Sequence, residues 1–294
     1  MQFKISNLFF YIFKWFVITI VIGACIGSAS AGFLISLDWV TNYRENHLWL
    51  IALLPIGGLL IGLLYHYYGK NVVAGNHLLF DTIQEPKVII PFRMAPFVYL
   101  GTMVTHLLGG SAGREGTALQ MAGAIADQFS KPFRLTNEER QILIIAAIAA
   151  GFGSVFGTPL AGAVFGLEVI LVRKFRYNAI FHAFAAAFFA DYITRVWNAP
   201  HTHYVVSLVP EISPTTLFYS IIAGIAFGLC AILFTQSLHR LTSFVANTIS
   251  FPPLRPFLGG ILIAAVVLGF GTTKYIGLGI PIIESAFHQE LPLY

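Results

Sequence analysis

Apolar residues divide this chain into long hydrophobic stretches separated by short polar breaks. The stretches are Phe16–Val40, Trp49–Tyr68, Met94–Leu108, Ile142–Ala150, Phe156–Val172, Tyr177–Trp197, Leu217–Ile249 and Leu258–Phe270. Some reach the roughly 20 apolar residues needed to cross a bilayer. Others are too short, or are interrupted by glycine and polar residues, above all around Gly109–Gly116. Non-helical backbone survives at membrane depth only where protein buries it or it lines a watery cavity. Full spans mixed with glycine-broken half spans therefore predict an all-α polytopic transporter or channel, not a receptor or a simple anchor. The first stretch has lysines early and small residues at Ser28–Ala31, as a signal peptide would. Lys14 interrupts it, and the apolar run continues through Phe33 to Val40, so it reads as the first membrane helix.

Small residues recur every four positions at Gly23, Gly27 and Ala31, at Gly58 and Gly62, and at Gly162 and Gly166. Such stripes let helices cross closely and carry a structural expectation only. The densest basic cluster, Arg173, Lys174 and Arg176, predicts a cytoplasmic loop, and Lys4 and Lys14 put the N-terminus on the same side. Asn198–Pro214 carries no lysine or arginine and reads as external.

Composition sharpens this picture. Of 294 residues, 57% are hydrophobic and 10% charged, against about 25% charged in a soluble domain. Much of the surface must face lipid. The net charge of +4 is dispersed over short loops rather than gathered on one face, which excludes a nucleic-acid binder. Cys25 and Cys230 sit inside apolar runs without CxxC spacing, so they read as packing residues rather than a disulfide or zinc site. His201 and His203 lack an evident third ligand and read as loop residues. His66 and His106 are expected to be hydrogen-bonded within the membrane core, and Asp191 to pair with Arg195 one turn on. Gly-x-Ser-x-Gly, HExxH and paired membrane aspartates are all missing, which argues against an intramembrane enzyme. No residue pattern calls for a cofactor or a metal.

The strongest chemical signal is the run from Gly109 to Gln120, Gly-Gly-Ser-Ala-Gly-Arg-Glu-Gly-Thr-Ala-Leu-Gln. A glycine-rich bend leads directly into a helical pattern, Thr117 to Gln128, with Glu115 where the helix begins. Unpaired amides and the helix dipole attract anions to such a point. A glutamate there can occupy an anion position itself, and on protonation it can leave. An ionisable group at this depth is a functional candidate. The same residues also suit a helix-capping acid, with Arg114 as its loop ion-pair partner. A nucleotide P-loop is excluded, because Arg114-Glu115 stand before Gly116-Thr117 where Gly-Lys-Ser/Thr is required.

Gly113–Thr117 resembles the Gly-Lys/Arg-Glu-Gly-Pro motif of the CLC anion-transport family, whose glutamate is external gate and proton carrier. Thr117 replaces the family's proline, a feature of its fluoride-exporting branch. Asn137–Gln141 leading into Ala150–Gly162 is similar to the family's Gly-x-x-x-x-Phe-x-x-Pro-Leu-Ala-Gly segment, and the likeness runs in order from about Gly23 to Pro281. Some forty residues before Glu115, Gly75-Asn76-His77-Leu78-Leu79-Phe80-Asp81 stands where the family has its first filter motif. Asn76 replaces the anion-coordinating serine, again as in the fluoride branch, and an amide offers two donors against a hydroxyl's one. Phe80 is a candidate ring-edge contact, or packing. His77 is a candidate titrating group, or a residue that bonds at the helix start. Gly277–Pro281 spells the chloride filter almost literally, but its place in the order suits a later half-helix. Val169 stands where many chloride/proton exchangers carry an internal proton-transfer acid, directly after Glu168.

The resemblance implies an inverted-repeat fold, with residues 1–197 as the first membrane repeat and 198–294 as part of the second. The second repeat is expected to be incomplete, since no Gly-x-Phe-x-Pro motif and no late pore-facing tyrosine precede Tyr294. It further implies fluoride export coupled to proton import across a bacterial inner membrane, by a homodimer. The anion site would be formed by Gly75, Asn76, His77, Phe80, Gly113, Arg114, Gly116, Thr117 and Ala118, with Glu115 as gate. A chloride channel or exchanger of the same family, and a truncated non-transporting remnant, are the alternatives.

Overall fold

The hydrophobic stretches fold as helices. The computed structural model describes residues 5–86, 88–169, 177–202, 209 and 211–288. Lys4, Arg173, Lys174, Arg176 and His203 lie outside the described residues. Among those described there are eleven α-helices. They are α1 (Ile5–Glu45), α2 (Leu54–Tyr68), α3 (Asn76–Gln84), α4 (Met94–Leu107), α5 (Arg114–Asp127) and α6 (Asn137–Phe156). After these come α7 (Pro159–Glu168), α8 (Ile180–Val196), α9 (Pro214–Thr248), α10 (Leu254–Phe270) and α11 (Ile280–His288). Short 3-10 turns lead into α2 and α8. Among the described residues, five helical stretches are long and apolar enough to cross a membrane: Phe10–Glu45, Leu48–Tyr68, Asn137–Phe156, Tyr177–Val196 and Pro214–Thr248.

The helices α4 and α5, with 14 residues each, are too short for that. At 1.5 Å per residue each spans roughly 21 Å of a hydrocarbon core about 30 Å thick. They meet at the glycine-rich bend. Gly109 takes a left-handed φ of 84°, and the amides of Gly109 and Gly110 turn back onto the carbonyls of His106 and Thr105 at 3.2 and 2.8 Å. Those two bonds close the end of α4.

Helix α6 is the hub, packed between α1, α5, α7 and α8, and Ala146–Ala150 on it are wholly buried. All three small-residue stripes lie at crossings. A methyl group at Gly27 would stand 2.5 Å from the Ala190 carbonyl of α8. One at Gly58 would stand 2.6 Å from the Pro256 carbonyl of α10, and one at Gly162 2.5 Å from the Gly153 backbone of α6. A capping box of Thr136 and Glu139 starts α6, and Lys14 of α1 reaches Glu139 at 2.6 Å. Asp191 and Arg195 form the expected pair at 2.8 Å.

Two expectations fail. The ring nitrogens of His106, a buried residue, have no partner among the described residues, because the nearby Arg44 bonds the His106 carbonyl (3.4 Å) and Glu45 (3.2 Å) instead. Of the two cysteines, Cys25 is half-buried in α1, but Cys230 is exposed on α9, none of whose residues is buried. His66 makes edge contacts with Tyr67 and Phe251.

In the irregular segment between α3 and α4, Ile90 is buried near the ends of α5 and α6, and side chains from there serve the segment's backbone. Arg140 grips both oxygens of Asp127 at 2.7 Å and donates to the carbonyls of Pro86 (3.0 Å) and Val88 (2.6 Å). Asp127 accepts from the Ile90 amide at 2.7 Å and from Ser130 at 2.8 Å. Gln128 donates to the Ile90 carbonyl at 2.8 Å. An aspartate at a helix C-terminus and an arginine at a helix N-terminus each sit badly with the helix dipole. Here each compensates the other. Removing one partner of such a buried pair strands the other charge and costs about 3–5 kcal/mol. Arg140→Met should lose stability on that scale in a denaturant titration in mixed micelles, while Asp127→Leu/Arg140→Met should regain part of it. A loss below about 1 kcal/mol, the level of an exposed pair, would show that the clamp contributes little.

Candidate functional site

Helices α3 and α5 lie side by side and run parallel, because Asn76 faces Gly116, Leu79 faces Gly123 and Ile90 faces Asp127. Leu79 is fully buried and fills the notch at Gly123, where a methyl group would stand 2.8 Å from its side chain. That contact sets the register. It brings the N-terminus of α3 level with the first turn of α5, so two helix dipoles point their positive ends at one place.

Gly75 enters α3 with a left-handed φ of 58°. The amides of His77 and Leu78 bond back to Ala74 (3.2 Å) and Gly75 (3.1 Å). What α3 brings to the site is therefore the Asn76 side chain. Its Nδ2 lies 3.5 Å from the point where a Cβ on Gly116 would stand, and its Oδ1 is buried without a partner. The first turn of α5 begins at Gly113 with no side-chain cap, and its leading amides have no preceding turn to bond.

Glu115 stands in that first turn and is exposed. Its carboxylate folds back so that Oε2 lies 2.5 Å from where a Cβ on Gly113 would be. Only glycine at 113 leaves this space. Thr117 is buried and its hydroxyl lies 2.7 Å from that of Thr102. Thr102 already donates its one hydroxyl proton to the Val98 carbonyl, so Thr117 is the donor of the pair and its proton is spent on α4. Ala118 is buried against Gly151 of α6, and Phe80 is half-buried against the core. His77 is exposed. The guanidinium of Arg114 sits 4.7 Å over the Phe156 ring and lines an outer cavity of about 900 Å³. Asp38, Arg44, Glu45, Lys274 and Glu284 also line that cavity. Gly277 packs against Arg44 there and α11 begins at Ile280, as the later half-helix reading of that motif expects.

One neighbour was not singled out from the sequence. The Gln120 amide nitrogen lies 3.3 Å from the Cβ position of Gly75 and 3.9 Å from that of Gly116. Helical side chains lean toward the N-terminus, so a residue at i+4 covers a glycine at i. The Gly116/Gln120 spacing is a signal that could have found it. Among the described residues no cluster of three or more metal-ligating side chains occurs. The arrangement suits a small anion, with amide donors on one side and a carboxylate able to compete for the position.

Comparison with known proteins gives the family. The family model described as "Voltage gated chloride channel" matches residues 57–294. The chain is 49% identical over 287 residues to the chloride/fluoride channel protein of Pseudomonas syringae pv. tomato, covering 96% of this chain and 64% of that protein. It is 27% identical over 236 residues to the H(+)/Cl(-) exchange transporter ClcA of Salmonella paratyphi B, covering 75% of this chain and 50% of that one. The crystal structure of a CLC-type fluoride/proton antiporter superposes with a TM-score of 0.91 at 31% identity, over 97% of this chain and 72% of that one. A slow cyanobacterial Cl-/H+ antiporter, at 22% identity and a TM-score of 0.82 over 95% of this chain and 69% of that one, shares the fold. On fold and family match together, this chain is a multi-pass membrane protein of the CLC, or voltage gated chloride channel, family.

Proposed function

We propose that this chain exports fluoride in exchange for protons across a bacterial inner membrane, with Glu115 as gate and proton carrier. Residues 1–197 then serve as the first repeat and 198–294 as part of the second, in a subunit that works as a homodimer. The observation that carries the reading is the meeting of the Asn76 amide with the first turn of α5, beside a Glu115 carboxylate folded over Gly113. Charged, Glu115 competes with the anion for the open amides of α5. Protonated, it loses that attraction and swings clear, so one residue links the anion path to proton movement. A small anion gives up a tight hydration shell to enter, and the amide offers more donors than a hydroxyl would. The relative from Pseudomonas syringae is named for chloride and fluoride, and the structural relative at 31% identity for fluoride/proton antiport.

Efflux from liposomes loaded with fluoride or chloride, read with an ion-selective electrode, tests this on the 294-residue chain. Fluoride efflux well above chloride is expected. Chloride efflux equal to or above fluoride would return the alternative of a chloride transporter, and no efflux of either from folded protein would overturn transport by this chain. Glu115→Gln should abolish coupled proton movement and leave an anion leak; coupling that persists in this variant would remove Glu115 from its assigned role. Gly113→Ala places a methyl group against the carboxylate and should displace it, raising uncoupled anion flux. Coupling as tight as in the unaltered chain would show that the folded-back position does not matter. Asn76→Ser should lower the fluoride-to-chloride flux ratio by about tenfold, the worth of one charge-assisted hydrogen bond. A ratio that stays the same would assign selectivity elsewhere.

A further inference from the structure

We infer that Gln120 is a specificity-determining residue, its amide closing with that of Asn76 into a two-armed clamp for fluoride. The inference rests on the proposed fluoride transport and deepens it. The geometry is read from two glycine positions. The Gln120 Nε2 lies 3.3 Å from the Cβ position of Gly75, at the start of α3, and 3.9 Å from that of Gly116, in the first turn of α5. The Asn76 Nδ2 lies 3.5 Å from that same Gly116 position. Two primary amides from two helices thus converge over one glycine. The half-buried Gln120 side chain is close enough to Gly75 that a methyl group there would crowd its amide, while at Gly116 both amides lie at ordinary contact distance.

A second observation points to the same clamp. The Oδ1 of Asn76 is buried and accepts no hydrogen bond. A buried acceptor left without a donor is costly, and the Gln120 amide lies over the same Gly116 position as the Asn76 amide. When one Gln120 N–H turns to that oxygen, Asn76 is held with its Nδ2 facing the passage. The second Gln120 N–H then joins the Asn76 amide in facing the anion. Donors on short, fixed arms suit a small anion that surrenders a tight hydration shell. A larger, more weakly hydrated anion gains less from them. Gln120 therefore bears on the preference between halides rather than on permeation as such.

Fluoride and chloride affinities of the full chain in nanodiscs test this, with fluoride followed by 19F NMR titration and chloride by calorimetry. The variants are Gln120→Leu, Gln120→Asn and Gln120→Glu. The last keeps the shape of glutamine, so it reports even if Leu at this position misfolds. Gln120→Leu should raise the fluoride Kd about tenfold or more, on the scale of one hydrogen bond to an ion. It should raise the chloride Kd less, so that the preference collapses. Gln120→Glu, which puts acceptors in place of donors, should weaken fluoride further still. Gln120→Asn, one methylene short, should fall between Leu and the unaltered chain. Equal weakening for both halides would reveal a packing role and overturn the inference. Unchanged fluoride affinity in every variant would overturn it while leaving fluoride transport standing. A parent chain that binds chloride but no fluoride would bring down both.

Discussion

Every main-chain polar group inside a bilayer needs a partner, and the structure follows from how that demand is met where helices stop short. Helices α4 and α5 end against each other at a glycine-rich bend, and the amides that terminate α4 are absorbed by its own carbonyls. The first turn of α5 receives no such closure. Its open amides are affordable only at a point that an anion, a carboxylate or water can reach. The same demand shapes the segment after α3, where side chains of α5 and α6 take up the carbonyls of Pro86, Val88 and Ile90. One break is left open and one is sealed. The open one is the candidate site, and the sealed one holds α3 against α5.

Much of this was legible in the sequence. The apolar stretches marked the helices, because lipid exposure forces a long helix to be apolar on most of its surface. The small-residue stripes marked three crossings, because only glycine or alanine lets two backbones approach so closely. Glu115 stood out as an acid beside a glycine bend in a chain with little charge. Gln120 did not stand out, because its significance depends on Gly75, which the sequence separates from it and the α3–α5 register brings near. Asp127 and Arg140 were silent for the same reason, since each looks like an ordinary polar residue at a helix end. His106 misled, because an imidazole was assumed to find a partner that the fold spends on its own carbonyl and on Glu45.

The site divides its labour by chemical type. Open main-chain amides and two parallel dipoles supply attraction without any nearby lysine or arginine having to enter the passage. Arg114 instead rests on Phe156 and faces the outer cavity, where cationic and anionic side chains alternate. Attraction by fixed dipoles is short in range and modest in depth. The buried hydroxyl pair of Thr117 and Thr102 ties the first turns of α5 to α4.

The Asp127–Arg140 pair also constrains how the chain enters the membrane. The two residues lie on opposite sides of the turn that joins α5 to α6, and each is almost wholly buried in the finished fold. A lone aspartate or arginine carried toward the bilayer centre costs about 2.5–3.5 kcal/mol on insertion scales. Neither helix can present its charge to lipid alone without part of that penalty, whereas the two together form a neutral hairpin. Biogenesis should therefore treat α5 and α6 as one unit. The translocation machinery would hold the short α5 until α6 emerges from the ribosome to cancel its charge.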